Sequence, residues 1–237
     1  MTLDRSRLTR TLFSLAVLGW GGTLLGQEEG HRIRCGGADY SYVLRRPARQ
    51  TARPAILLLH GSGGDGAGMV ALWRDLAREN DVALIAPELP LKMSFEDLAP
   101  DVFRCVVEDA GRQVHIDSRR VYAFGYSMGG YLAYDAATFD SDRFAAVAIF
   151  AAAIAPGYEW ILGRARRKTP IAIYIGNRDP LIPLAGVRWT RDLLSKDGFP
   201  VRYTELEGQD HRYAPVSRRI NADAWEFFRD AKLPDLR

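Results

Sequence analysis

Short apolar runs alternate along this chain with longer segments of helical periodicity. Continuous apolar runs, as at 54–60 and 82–86, are typical of strands buried on both faces. Between these two runs, Met69, Leu72, Trp73 and Leu76 recur at the spacing of one helix face. The pattern predicts strands at 54–60, 82–86, 120–124, 144–152, 170–175 and 201–206, and helices at 68–80, 95–114, 128–139, 184–196 and 215–231.

An antiparallel hairpin is predicted ahead of this alternation. Residues 33–35 and 41–44 alternate in polarity around the turn Gly36-Gly37-Ala38-Asp39. Strands that alternate with helices form one mainly parallel sheet covered on both faces. The predicted fold class is therefore α/β, and in such sheets the reactive groups gather at the carboxyl ends of the strands.

The first 26 residues predict a secretory signal peptide. Arg5, Arg7 and Arg10 precede an apolar core at 12–18, and glycines follow it. The charge-free stretch covers only residues 11–27, which is short for a membrane span. We therefore expect export to the periplasm or the extracellular space, no stable membrane span after cleavage, and a single domain over residues 27–237. An uncleaved anchor and an ordinary N-terminal helix are the alternatives.

Length and charge limit the remaining choices. The 237 residues, 47% of them hydrophobic, suffice for one sizeable core. Without residues 1–26, 29 basic residues face 28 acidic ones, so the balance predicts no nucleic-acid partner. One dense basic run remains at 164–168, and it is either a solvated surface patch or a contact for an anionic substrate or partner.

The strongest chemical signal is the sequence Gly125-Tyr126-Ser127-Met128-Gly129. An apolar strand pattern enters it and a small-residue helix pattern leaves it. That is the strand–turn–helix context of a nucleophile elbow, in which a strained turn lifts the serine hydroxyl above the sheet. The pattern therefore predicts that Ser127 is a catalytic nucleophile.

The partners that such a serine needs follow two later strands. Asp179 comes after the strand at 170–175, and His211 comes after the strand at 201–206. A serine hydroxyl needs an imidazole to accept its proton and a carboxylate to orient that imidazole. Of the four histidines, only His211 follows the last strand, so we predict it as the base and Asp179 as the acid. Asp210 is the rival carboxylate.

The loop His60-Gly61-Ser62-Gly63-Gly64 follows the first buried strand. Acyl transfer needs backbone N–H groups that stabilise a tetrahedral oxyanion. We predict the amides of Ser62 and Met128 as this oxyanion hole, with Gly63 as the second choice for the loop position, and His60 as a support of the loop. A phosphate-binding reading is disfavoured because neither Gly-Lys-Ser/Thr nor Gly-x-Gly-x-x-Gly occurs.

The cysteines and histidines give no metal-ligand spacing, so neither a metal nor a cofactor is predicted. Cys35 and Cys105 remain open between a disulfide and two unconnected buried thiols.

Residues 54–230 resemble the α/β-hydrolase esterases. The residues that carry the resemblance are His60-Gly61-Ser62-Gly63-Gly64, Ile116 to Tyr122, Gly125 to Gly130, Gly176 to Pro183, and Gly208 with His211. The chain is most similar to the exported polyhydroxybutyrate-depolymerase and feruloyl-esterase-like group, and it is also similar to the phospholipase/carboxylesterase group. Depolymerase-like members tend to have more cysteines and longer insertions, whereas only residues 154–169 intervene here between two strands. The resemblance implies an α/β-hydrolase fold with no large cap domain.

These observations predict a secreted, metal-independent serine hydrolase of carboxylic esters, working through an acyl-enzyme on a small-molecule or polymer-linked substrate. Short or aromatic acyl groups are expected, because a chain without a large lid leaves the mouth above Ser127 open. Tyr126, Tyr158, Trp160 and Tyr213 either line the pocket or pack in the ordinary way. The alternatives are a serine peptidase or thioesterase on the same scaffold and, less favoured, a non-catalytic binding module.

Overall fold

The computed structural model describes residues 27–89 and 101–235. Its strands are β1 (Glu28–Cys35), β2 (Ala38–Arg45), β3 (Arg53–Leu59), β4 (Ala83–Pro87), β5 (Ile116–Tyr126), β6 (Ala146–Phe150), β7 (Ile171–Gly176) and β8 (Val201–Leu206). Its α-helices are α1 (Gly66–Asn80), α2 (Val102–Gln113), α3 (Met128–Thr138), α4 (Leu184–Lys196) and α5 (Ser217–Phe228), with short 3₁₀ helices at Glu159–Arg164 and Ala214–Val216.

All eight strands form one sheet in the order β1-β2-β4-β3-β5-β6-β7-β8. The hairpin strand β1 pairs antiparallel with β2, which pairs antiparallel with β4. Every other neighbouring pair is parallel. The predicted α/β class, with a hairpin ahead of a parallel sheet, is confirmed.

Burial along the strands explains this arrangement. Every residue of β4, β6 and β7 is buried, as expected of central strands covered by helices on both faces. In the edge strand β8 only Leu206 is fully buried. Helices α1 and α5 pack against each other, and α3 packs against β5 and β6. The apolar runs in the sequence therefore mark the centre of the sheet.

The structure differs from the sequence predictions in detail. Strand β5 begins at Ile116, four residues earlier than predicted, because polar residues at its start extend beyond the buried part of the sheet. The 3₁₀ helix Glu159–Arg164 was not predicted. The helix predicted at 95–114 is observed from Val102, and residues 95–100 lie outside the described residues, as does the predicted signal peptide. Among the described residues, no inserted cap domain stands over the sheet.

A disulfide between Cys35 and Cys105 joins the end of β1 to α2. The choice that the sequence left open is therefore resolved in favour of the bridge. Close by, the Tyr42 hydroxyl donates a hydrogen bond to Asp109 of α2 at 2.6 Å. The antiparallel hairpin is thus fixed to the parallel part of the fold by a covalent bond and a polar contact. In the part of the chain that is described, no helix has the length and apolar character needed to span a bilayer.

A hydrogen-bonded serine, histidine and aspartate at the carboxyl edge of the sheet

Ser127 occupies a sharp turn between β5 and α3. Its backbone has φ 53° and ψ −117°, a left-handed conformation that is unusual for a residue with a side chain. The Ser127 amide donates to the Phe150 carbonyl at the end of β6 at 2.9 Å, and the Ser127 carbonyl accepts from Gly130 at 2.8 Å. The backbone on both sides of Ser127 is therefore held in place, and the strand–turn–helix prediction is confirmed.

Two glycines allow this turn to fit. A Cβ atom on Gly125 would lie 2.1 Å from the carbonyl oxygen of Gly129. A Cβ atom on Gly129 would lie 2.1 Å from the carbonyl oxygen of Leu59 at the end of β3. Both contacts are with backbone, which cannot move aside as a flexible side chain would. Glycine is therefore required at positions 125 and 129 because β3, β5 and α3 approach one another closely there.

His211 and Asp179 reach Ser127 from the ends of β8 and β7. The Nε2 atom of His211 lies 2.9 Å from Ser127 Oγ, and its Nδ1 atom lies 2.8 Å from Asp179 Oδ2. The Asp179 side chain is fully buried, and its other oxygen accepts from the amides of Leu181 and Ile182 at 2.8 and 2.9 Å. With Nδ1–H donated to Asp179, the Nε2 lone pair faces the serine hydroxyl. This arrangement can move a proton from oxygen to nitrogen.

The rival carboxylate lies elsewhere. Asp210 makes an ion pair with Arg212 at 2.7 Å and receives a hydrogen bond from Gln209. The Arg212 guanidinium, which donates to this carboxylate, holds the pKa of Asp210 below its ordinary value. Of the two candidates, Asp179 is the one whose carboxylate bonds to the His211 ring.

The turn that carries His211 is hydrogen-bonded to the turn that carries Asp179. Asn177 accepts from the Gly208 amide at 2.8 Å and donates to Glu207 at 2.6 Å. A Cβ atom on Gly176 would lie 2.1 Å from the Gln209 carbonyl oxygen, so the two turns touch through their backbones. The sequence analysis missed Asn177, although it stands two residues before Asp179 in the motif Gly-Asn-Arg-Asp-Pro.

The glycine-rich loop after β3 borders the serine. A Cβ atom on Gly61 would lie 3.3 Å from Ser127 Cβ. Buried His60 bonds through Nδ1 to the Gly61 carbonyl at 2.8 Å and accepts the Leu89 amide at Nε2 at 2.9 Å, which agrees with the supporting role expected of it. Met128 is the first residue of α3, where a backbone N–H has no partner within the helix. The oxyanion hole at Ser62 and Met128 stays a prediction.

The four aromatic residues named as pocket candidates divide into two groups. The Tyr126 ring lies 5.4 Å from the His211 ring and 5.5 Å from the ring of buried Tyr213, and it contacts the Gly61 position. Trp160, by contrast, lies 6.5 Å from Tyr158 and 6.0 Å from Phe139, which follows the last residue of α3. Ser127 precedes the first residue of that helix, about 16 Å away along its axis. Trp160 is therefore an exposed residue near the end of α3 that is far from Ser127, and the exposed Tyr158 is its neighbour.

Two ionisable groups on β5 and α3, the elements that flank Ser127, have shifted pKa values. Burial, reinforced by the nearby Asp179 carboxylate, raises the pKa of Tyr126. Burial also raises the pKa of Asp135, in the middle of α3, to about 7. None of the described residues donates a hydrogen bond to the Asp135 carboxylate. The helix that follows the serine thus carries a carboxyl group without a compensating charge.

The comparison with protein families agrees with this geometry. The model of the alpha/beta hydrolase family matches residues 56–236, about three quarters of the chain. A relative is NocK of Nocardia uniformis subsp. tsuyamanensis, provisionally named an esterase, which is 31% identical over 157 residues. That match covers 60% of this chain but only 44% of NocK.

Solved structures with low sequence identity share the fold. A thermostable esterase has a TM-score of 0.71 at 21% identity, covering 86% of this chain and 63% of its own. The fluorophosphonate-binding serine hydrolase FphF of Staphylococcus aureus has a TM-score of 0.70 at 19% identity, with 85% and 98% covered. A ferulic acid esterase of Anaeromyces mucronatus, in complex with ferulic acid, has a TM-score of 0.70 at 15% identity, with 89% and 92% covered.

Proposed function

The chain belongs to the alpha/beta hydrolase family, and on that premise we propose that it is a serine hydrolase that cleaves carboxylic esters through an acyl-enzyme. The observation that carries the proposal is the continuous hydrogen-bonded chain from Ser127 Oγ through His211 to the buried Asp179, at 2.9 and 2.8 Å. Catalysis by such a chain requires all three groups in contact at once, which the sequence order alone does not guarantee.

The chemical steps follow from this chain. Ser127 Oγ attacks the ester carbonyl carbon while His211 Nε2 accepts the hydroxyl proton, and Asp179 stabilises the resulting imidazolium. The tetrahedral oxyanion is stabilised by the amides of Met128 and Ser62. Its collapse breaks the bond to the alcohol oxygen, which takes the proton from His211. Water then attacks the acyl-enzyme by the same route and releases the carboxylic acid and free Ser127.

Short or aromatic acyl groups suit this site best. Among the described residues, the connection between β6 and β7 contains only the 3₁₀ helix Glu159–Arg164, so little apolar surface is available to close over a long chain. Each methylene group contributes about 0.8 kcal/mol only when it is fully buried. The half-buried Tyr126 ring offers a flat partner for an aromatic acyl group.

Export is part of the proposal. The leader-like composition of residues 1–26 supports it, and so does the Cys35–Cys105 bridge, because disulfides persist in oxidising compartments. Residues 27–237 are proposed as a single catalytic domain. The proposed partner is a small-molecule or polymer-linked ester.

The test combines covalent labelling with a substrate panel. A fluorophosphonate should label the purified protein and not Ser127→Ala, whose kcat should fall by several powers of ten. For nitrophenyl esters, kcat/KM should peak at about two to six acyl carbons, and a metal chelator should leave it unchanged. Undiminished labelling of Ser127→Ala would refute the nucleophile. Faster turnover of matched thioesters or peptide anilides would favour the thioesterase or peptidase alternative.

A further inference from the structure

A second concave surface lies at the opposite edge of the sheet from Ser127. It is a groove of about 790 Å³ between α2, the beginning of β5 and the segment 233–235. Val121, which lines it, lies six residues before Ser127 on the same strand, or about 20 Å at the rise of a β-strand. The groove is therefore separate from the hydrogen-bonded serine, histidine and aspartate, and its volume is within the range of small-molecule sites.

The groove has an apolar lining. The side chains that form it come from α2, from β5 and its neighbour, and from the end of the chain: Phe103, Val107, Ile116, Val121, Phe144 and Leu233. Val107 and Ile116 are only half-buried, so they present apolar surface to the groove. The segment at Leu233 is held against β5, since its amide donates to the Arg119 carbonyl and its carbonyl accepts from the Arg119 side chain. The lining suits an alkyl chain.

The rim of the groove is rich in arginine. Five arginines line it, at positions 104, 119, 143, 166 and 167, against three acidic residues. Each of these acids already pairs with an arginine: Glu108 with Arg143, Asp142 with Arg166, and Asp235 with Arg119. Arg104 pairs with Asp140 and with Asp101, neither of which lines the groove. The acids therefore compensate every rim arginine except one.

Arg167 is the exception, and it comes from the basic run that the sequence singles out at 164–168. Its guanidinium donates to the backbone carbonyls of Ser141, Phe144 and Ala145, and no carboxylate of the described residues lies within ion-pair distance. Burial lowers the pKa of Arg167, which reflects the cost of a partly desolvated cation without a counter-charge. An anion beside Arg167 would remove that cost.

We propose that this groove binds a medium-chain fatty carboxylate or an equivalent alkyl anion, with its chain on the apolar lining and its charged head beside Arg167. An arginine rim suits this head, because guanidinium groups bind carboxylates through paired N–H donors. The chain contributes through burial, with about a fourfold gain in affinity for each methylene group covered. The proposal does not depend on the activity proposed for Ser127, since the groove lies at the other edge of the sheet.

The test measures equilibrium binding to the purified protein by titration calorimetry below micellar concentrations. Decanoate and decyl sulfate should bind, whereas decyltrimethylammonium, with the same chain and the opposite charge, should bind at least about tenfold more weakly. Acetate should not bind measurably, because it lacks the chain. Equal affinity for the anionic and the cationic decyl compounds, or no binding of decanoate, would overturn the proposal.

Substitutions at Val107 locate the site. Val107→Glu puts a negative charge into the groove and should weaken decanoate binding by about tenfold or more, whereas the neutral Val107→Gln should weaken it by about threefold. The matched control is Leu193→Glu on α4, where another half-buried apolar side chain lies away from the groove. The affinity of Leu193→Glu for decanoate should stay within about twofold of that of the parent protein. Binding that is unchanged in both Val107 variants would place the ligand elsewhere and refute the groove.

Esterase assays keep the two proposals apart. Val107→Glu and Leu193→Glu should both fold, as checked by circular dichroism and thermal melting, and neither should lose the ester-hydrolysing activity. If Val107→Glu fails to fold, two measurements still test whether the groove binds the anion: the affinity of Val107→Gln for decanoate, and the comparison of anionic with cationic decyl compounds. Decanoate binding that persists in Ser127→Ala and disappears in Val107→Glu would support the groove whether or not the protein is an esterase. Binding lost in Ser127→Ala alone would assign the ligand to the serine site.

Discussion

The turn that carries Ser127 and the turn that carries His211 are built in different ways. The serine turn is held by backbone packing, because neighbouring carbonyl groups leave no room for a Cβ atom at positions 125 and 129, which are both glycine. The histidine turn also has a close backbone contact, between Gly176 and Gln209, and it is held in addition by a side chain, since Asn177 bonds to both Gly208 and Glu207 across the two strand ends. Both turns contact chain that is distant in sequence, Leu59 in the first case and Asn177 in the second, but only the second contact is made by a side chain.

The carboxylates near the two turns also differ. Asp210 in the histidine turn is paired with Arg212, and the pKa of Asp210 is lowered. Asp135, on the helix that leaves the serine turn, has no such partner among the described residues, and its pKa is raised to about 7. Ser127 and His211 are both half-buried, but buried glycines flank the serine turn, whereas exposed residues such as Gly208 and Arg212 flank the histidine turn. Four sets of substitutions test this difference.

The largest expected effect is that of Asp179→Asn, which removes the carboxylate that bonds to His211 Nδ1. The amide stabilises the wrong tautomer of His211, so kcat should fall by about 10⁴-fold while the protein still folds. The measurement is steady-state hydrolysis of a nitrophenyl ester, with thermal unfolding as the check on folding. Asp210→Asn is the matched control and should change kcat by less than about threefold. A large loss in Asp210→Asn with a small one in Asp179→Asn would reverse the assignment.

Adding one methyl group to each turn should separate stability from activity. Gly129→Ala places a Cβ atom against the Leu59 carbonyl inside the fold and should cost about 3 kcal/mol of unfolding free energy. Gly176→Ala makes an equally short contact with the Gln209 carbonyl, but the histidine turn is exposed enough to move. Its stability should fall by about 1 kcal/mol, and kcat should fall about 100-fold because His211 is displaced.

Urea unfolding and ester kinetics on the same preparations measure both quantities. Equal losses of stability in Gly129→Ala and Gly176→Ala would show that the two turns are equally rigid.

The Tyr126 ring contacts both the loop beside Ser127, at the Gly61 position, and the His211 ring. Tyr126→Leu should lower kcat by about tenfold through a small displacement of the loop and the imidazole. Tyr126→Phe keeps the ring, so its kcat should fall less than that of Tyr126→Leu. Trp160→Leu, which removes an exposed aromatic ring near the far end of α3, should leave kcat/KM unchanged. Equal kcat values for Tyr126→Leu and the parent protein would show that the ring positions neither group.

The smallest effect concerns Asp135 and depends on pH. Its pKa of about 7 in the folded protein lies above the unfolded value, so the folded state retains a proton that the unfolded state loses. Stability from this group is present below about pH 4 and is lost as pH rises to about 7. Asp135→Asn should therefore be more stable than the parent at pH 8, by about 1 to 2 kcal/mol, and equal to it near pH 4. Urea titrations at both pH values test this, and a variant less stable at pH 8 would contradict it.

The sequence by itself determined the central sheet and the serine turn. A strand that is apolar on both faces is stable only in the interior of the sheet. Strands β3, β4, β6 and β7 therefore appear where the apolar runs predict them. The spacing of Gly125, Ser127 and Gly129 likewise predicts a local backbone geometry, since only glycine tolerates such close contacts. Both signals lie within short segments, where residue type and neighbouring chain geometry are directly coupled.

Contacts between distant residues were decided only by the tertiary structure. The choice between Asp179 and Asp210 depends on which carboxylate the folded chain brings to His211 Nδ1, and the Cys35–Cys105 bridge depends on where α2 lies against β1. Trp160 has the right chemistry for a pocket, but it packs against Phe139, near the end of α3 that is far from Ser127. The groove at the opposite edge likewise joins residues from five separate parts of the chain. Residue types specify what such groups are able to do, while packing of the whole chain fixes which of them meet.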